Sequence, residues 1–141
     1  MANYYSKCRT NYFSVTDEEK FADIIKHLSG DGEIDFYEHD SDEGKFMFYC
    51  DGVLNGYMNT PSDDDGIDEA RGRMITELQK ILPDGEAIIL TEAGSEKMNY
   101  ISCVATIITN TNAQTLNLSD AAIAKAREML ADSDFTTEMD Y

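Results

Sequence analysis

The chain contains a second version of one of its own segments, and this constrains the fold more than any other feature. Gly30 to Cys50, GDGEIDFYEHDSDEGKFMFYC, returns 53 positions later as Pro83 to Cys103, PDGEAIILTEAGSEKMNYISC. At that offset Asp31-Gly32-Glu33 falls on Asp84-Gly85-Glu86, Phe36 on Ile89, Tyr37 on Leu90, Glu43 on Glu96 and Cys50 on Cys103. The segment before each copy follows the same shift, with Phe21, Ala22, Ile25 and Leu28 on Met74, Ile75, Leu78 and Ile81. The pattern predicts a helix followed by a hairpin, used twice, over about residues 17–58 and 70–111.

Local patterns fill in the elements. Residues 8–15, CRTNYFSV, are aromatic and β-branched and predict a first strand. Thr16 lies three residues before Glu19, the spacing of a capping box, and Phe21, Ile24, Ile25 and Leu28 then give a first helix one apolar stripe, ended by Gly30 and Gly32. Glu33 to Tyr37 alternates like a half-buried strand, and Lys45 to Asp51 predicts its partner. Val53 to Met58 is expected to pair with Lys45–Asp51 through the Asp51-Gly52 turn, although Gly56 weakens that strand. A second helix is predicted over Ile67–Leu82, followed by strands at Ala87–Leu90 and Tyr100–Thr109, the latter long, uncharged and expected to be central. Gln114–Leu118 reads as an edge strand, and Ser119 as the cap of a third helix whose Ile123, Ala126 and Leu130 face inward. The expected fold class is α+β, a mostly antiparallel sheet with three helices packed on one face, forming one domain over residues 1–131 with an acidic tail at 132–141.

A chain of 141 residues is long enough to bury a core, and 42% hydrophobic residues favour folding despite a net charge of −17. The start has no apolar run with a cleavage site, and no window approaches the about 20 apolar residues of a membrane span, so a soluble cytoplasmic protein is expected. Cys8, Cys50 and Cys103 are odd in number and far apart, which suits reduced thiols. The equivalent positions of Cys50 and Cys103 would bring them together if the two units were related by a twofold axis.

The charge is unevenly placed. Residues 31–69 carry thirteen acids against Lys45 alone, whereas the first thirty residues balance. An acidic surface repels nucleic acid and anionic membrane and attracts basic proteins by long-range steering. Carboxylates two apart on a strand lie about 6.6 Å apart, and those one helical turn apart about 5–6 Å, comparable with phosphates along a nucleic-acid strand. The candidate partner-binding residues are therefore Asp31, Glu33, Asp35, Glu38, Asp40, Asp42, Glu43, Asp63, Asp64, Asp65, Asp68 and Glu69, with Phe36, Phe46, Phe48 and Tyr49 as the scaffold aligning them. The plain alternative is that the acids only solvate the surface.

Other chemistries find little support. A calcium loop beginning at Asp40 places Lys45 where glycine is required, and one beginning at Pro61 has Gly72 where its glutamate belongs. There is no phosphate loop, no basic patch and no selected pair of carboxylates among the 28 acids. His27 sits near the end of the first helix, where a capping role is expected, and His39 lies in an acidic loop and should be exposed. No catalytic residue, cofactor or metal is assigned.

The stretches CRTNYFSVTDEEKF, ILTEAGSEKMNY, ATIIT and AREML, with the final Tyr141, cover about a third of the chain. In them the sequence resembles a family of small acidic proteins of phages and integrative elements of gut bacteria. The resemblance implies a setting in which small acidic proteins inhibit host defence, as anti-CRISPR and antirestriction proteins do, some by mimicking DNA. The expected function is thus an acidic, DNA-mimicking inhibitor that binds the basic cleft of a host CRISPR effector or restriction enzyme. The rival is a non-enzymatic structural or regulatory accessory protein of a mobile element, able to assemble as a homodimer through free sheet edges, with the acids serving solubility.

Overall fold

The computed structural model describes residues 4–58, 66–96 and 100–137. In chain order the elements are β1 (Tyr4–Thr10), β2 (Phe13–Ser14), α1 (Glu18–His27), β3 (Leu28–Gly30), β4 (Ile34–Glu38), β5 (Lys45–Cys50), β6 (Leu54–Tyr57), α2 (Ile67–Gln79), β7 (Ile88–Glu96), β8 (Tyr100–Ile108), β9 (Ala113–Asn117) and α3 (Leu118–Leu130). The protein is α+β. A sheet of seven strands runs β4-β5-β1-β7-β8-β9, with β2 continuing beside β5 where β1 breaks off, and every pairing is antiparallel.

The first predicted strand is thus two pieces. Asn11 supplies the reason: its side chain accepts from the Ile89 amide at 2.7 Å and donates to the Ala87 carbonyl at 3.1 Å, replacing ladder bonds at the kink. A backbone in that position stays satisfied only because the amide can serve both roles.

Strand alternation divides the sheet into two faces. Cys8 and Thr10 of β1, Phe46, Phe48 and Cys50 of β5, and Ile88 and Leu90 of β7 are buried, and so is Ile108 of β8. Against this face α1 presents Phe21, Ile24 and Ile25, and α2 presents Met74 and Leu78, with Ile81 and Leu82 following it. Phe21 sits at the centre of an aromatic cluster, with ring centroids 5.6 Å from Phe13, 5.1 Å from Phe36 and 5.4 Å from Phe46. Such edge-to-face and tilted pairs contribute about 0.5–1.5 kcal/mol each beyond the burial of their surface.

Several expected details are corrected. The first helix is capped by Asp17, whose side chain accepts from the Lys20 amide, and the third by Asn117, which accepts from Asp120; neither Thr16 nor Ser119 holds the position. Residues 28–30 leave the helix as β3 and pair with β6, so the Val53–Met58 segment does not pair with β5. Gly56 belongs in that strand for a specific reason: its φ is +134°, and a Cβ there would lie 2.4 Å from the Ala70 carbonyl carbon, because α2 packs backbone against backbone. The strand at 100–108 lies one place in from the edge strand β9. On α3, Leu130 points to solvent and no residue is fully buried.

The internal resemblance also has a structural limit. Phe21, Ile25 and Leu28 and their counterparts Met74, Leu78 and Ile81 are all buried, so the helical halves correspond. The hairpins do not: Phe36 faces the core while Ile89 faces away, and Cys50 is buried while Cys103 lies on the other face. A slip of one residue exchanges the faces of a strand. Moreover β1 lies between the two hairpins, which therefore do not meet edge to edge, and Cys103 is three strand spacings, about 14 Å, from Cys50. Cys50 instead faces Cys8 directly across β1 and β5. Burial, reinforced by the charge each thiol would feel from its neighbours, pushes Cys8 up to about 12 and raises Cys50, so both remain protonated core groups.

Candidate functional site

Seven of the predicted acids decorate one border of the sheet. Among the described residues β4 pairs only with β5, so it is an edge strand, and Asp31, Glu33, Asp35, Glu38, Asp40, Asp42 and Glu43 run from just before it, along it and around the following loop. All seven are exposed. The strand portion from Ile34 to Glu38 is about 14 Å long, which spaces the carboxylates without bringing any two into a buried pair.

The backbone beneath them is fixed. At one end the Asp31 amide donates to the Val53 carbonyl at 2.9 Å and the Asp51 amide to the Glu33 carbonyl at 2.8 Å. At the other, the His39 amide donates to the Lys45 carbonyl at 2.8 Å and the Gly44 amide to Glu38 Oε2 at 2.8 Å, closing the loop. Gly44 has φ +86°, a turn conformation that favours glycine. Phe36, Phe46 and Phe48 hold the strand from below as expected, whereas Tyr49 lies on the opposite face.

None of the seven acids forms an ion pair among the described residues. Three cations are used elsewhere. Lys45, the one base in the acidic stretch, turns away to Glu86 at 3.0 Å, and Lys7 pairs with Asp51. Arg71 grips Glu92 through both terminal nitrogens and the Leu54 carbonyl through Nε and Nη2.

Asp68 and Glu69 stand apart. They are exposed in the first turn of α2, where acids favour the positive end of the helix dipole. One turn further on, Arg71 reaches β7, which lies three strand spacings from β4. The predicted cluster is therefore two groups, an edge and a helix start. Asp63, Asp64 and Asp65 lie outside the described residues.

His27 donates from Nδ1 to the Asp23 carbonyl at 2.8 Å and stacks on Tyr57 at 4.9 Å, holding the helix end to β6. His39 is half-buried, not exposed, because its ring packs edge-on against Tyr12 at 4.7 Å while Nδ1 accepts from the Ser41 amide.

One feature was not anticipated. On the sheet face opposite α1 and α2, an open cavity of about 600 Å3 is lined by Lys7, Arg9, Tyr12, Tyr37, Met47 and Tyr49, among others. Its sequence signal was the alternation Lys7-x-Arg9 followed by Tyr12, legible only once the strand was known to present that side outward.

Comparison with family models, curated proteins and solved structures found no match to the chain. No helix among the described residues is long and apolar enough to cross a membrane.

Proposed function

We propose that the acidic border formed by β4 and its loop is a set of phosphate surrogates, with which the protein occupies the basic nucleic-acid cleft of a partner protein. The resemblance of the sequence directs the choice of partner to a host defence nuclease, a CRISPR effector or a restriction enzyme. One observation carries the reading: seven exposed carboxylates stand on a hydrogen-bonded edge with no cation of the chain, among the described residues, drawn in to neutralise them. Like charges about 7 Å apart in water repel by roughly 0.6 kcal/mol before screening, so an un-neutralised row is destabilising unless something external complements it.

The location of the row on an edge strand favours a second reading. An exposed edge invites pairing with another chain, and charge along it prevents this. The two readings separate in one experiment. Purified candidate nucleases are titrated with the wild type and with a variant in which the seven acids become Asn or Gln, in rising salt and with competing duplex DNA. Mimicry requires wild-type binding that weakens with salt and is displaced by DNA, and a loss of at least tenfold, about 1.4 kcal/mol, in the variant. Equal binding by both proteins removes the proposal. Self-association of the variant without any change in binding assigns the acids to edge protection.

A further inference from the structure

The open cavity on the uncovered sheet face differs in chemistry from the rest of the molecule. Arg9 projects there between Tyr49 on β5 and Thr91 on β7, its cross-strand neighbours. In a chain with 28 acids it has no carboxylate partner among the described residues; its only hydrogen bond is from Nε to the Thr10 carbonyl at 3.3 Å. That bond engages Nε and leaves Nη1 and Nη2 as a fork, the geometry that binds carboxylate or phosphate through two parallel bonds. Lys7 nearby is already neutralised by Asp51.

Around this cation stand flat walls. Tyr37 and Tyr49 stack at 5.8 Å with only 10° between their planes. Their hydroxyls share a hydrogen bond, which with desolvation and the charges of Glu33 and Asp35 raises Tyr49 above the ordinary phenol range. Tyr12, held by His39, forms another wall, and Met47 lies on the same face as an adaptable apolar surface. The volume of about 600 Å3 falls within the range of small-ligand sites.

We propose that this cavity binds a small anion bearing an aromatic ring, with Arg9 clasping the anionic group and the tyrosines packing against the ring. Charge complementarity selects the class. Asp35 shares this face two strand spacings, about 10 Å, from Arg9, beyond the screening length of about 8 Å at physiological salt, so its field at the guanidinium is reduced, and Asp51 is paired with Lys7. A neutral ring would leave the guanidinium without a partner, and a bare anion would leave the aromatic walls wet. The site is on a different face from the acidic edge's supporting core and does not depend on mimicry.

The test uses phenyl phosphate, followed by the tyrosine ring signals in NMR. Saturable binding is expected with Kd on the order of 1 mM, the scale of a fragment of this size. Inorganic phosphate and phenol should each bind at least tenfold more weakly, and Arg9→Gln should weaken phenyl phosphate at least tenfold. Lys125→Gln on α3 removes a distant charge and should leave the affinity unchanged. Arg9→Lys keeps the charge without the fork and should fall between wild type and Arg9→Gln. Replacing the probe by benzoate shows whether phosphate or carboxylate is preferred, and either preference supports the site. Unaltered affinity in Arg9→Gln, inorganic phosphate binding as tightly as phenyl phosphate, or no saturation by about 10 mM would each overturn the proposal.

Discussion

The two edges of the sheet are finished in opposite ways. Beside β4 the helix α1 is seated deeply, with Phe21 fully buried in a cluster of five phenylalanines, and the border carries carboxylates with no ion-pair partner among the described residues. Beyond β9 the helix α3 rests on β8 and β9 with no fully buried residue, and Leu116, Leu118, Met129 and Leu130 are all more than half exposed. The contrast teaches that charge was concentrated where the packing beneath is strongest. A row of repelling acids is tolerable on a border that a dense core holds in place, and it would be far harder to sustain where the last helix is barely anchored.

That contrast can be broken most directly at its strong end. Phe21→Ala should cost about 3–5 kcal/mol in denaturant-induced unfolding, because a large ring is removed from a site that cannot collapse. A cost under 1 kcal/mol would mean that the core below the acidic edge is not what holds it. Next in size, Gly56→Ala should lose about 2 kcal/mol or more, since it combines a positive φ with a contact against the α2 backbone.

Glu86 sharpens the comparison through pH. Burial opposes its charge, but the Ser14 amide and hydroxyl, the Lys45 ammonium and the Ala87 amide all donate to the carboxylate and pull it down to about 2. A carboxylate whose folded value lies below its unfolded one stabilises the fold above the unfolded value. That contribution fades as pH falls from the ordinary glutamate range of about 4.3 toward 2. Glu86→Gln should therefore cost about 1.5–3 kcal/mol at neutral pH and almost nothing near pH 2, measured as the difference between the two proteins' unfolding midpoints. A constant difference across that window would show that the bonds to Ser14 and Lys45 do not act through charge.

Smaller effects are expected at the surface. Neutralising the seven edge acids together should raise stability by about 1 kcal/mol at low salt, with the gain vanishing at high salt, since only repulsion is relieved. Stability that rises while partner binding is lost would be the sign of a border kept for use. Smallest of all, Leu130→Gln should change stability by no more than about 0.5 kcal/mol, because the side chain already meets water. A larger loss there would show α3 to be better anchored than its exposure indicates.

Much of this was legible beforehand. Helical spacing of Phe21, Ile24, Ile25 and Leu28 identified the buried face of α1, and alternation in Glu33–Tyr37 identified β4 with Phe36 toward the core. The acidic run was visible as composition. What failed were matters of one or two residues and of remote partners. Asp17 outcompetes Thr16 for the cap, β6 seeks β3 and not β5, and Leu130 falls off the end of its helix's contact. Asp68 and Glu69 are near the other acids in sequence yet far from β4, because α2 carries them over toward β7.

The sequence by itself determined the class of fold, the inner faces of its helices and the excess of negative charge, since periodicity and composition are local properties that survive in any tertiary arrangement. Only the folded structure decided that β1 is inserted between the two hairpins, which removes their symmetry and pairs Cys8 with Cys50. It alone decided that seven acids line one edge and that Arg9 stands among tyrosines on the opposite face. These are consequences of strand order, and strand order depends on contacts between residues distant in the chain, for which no local pattern carries the information.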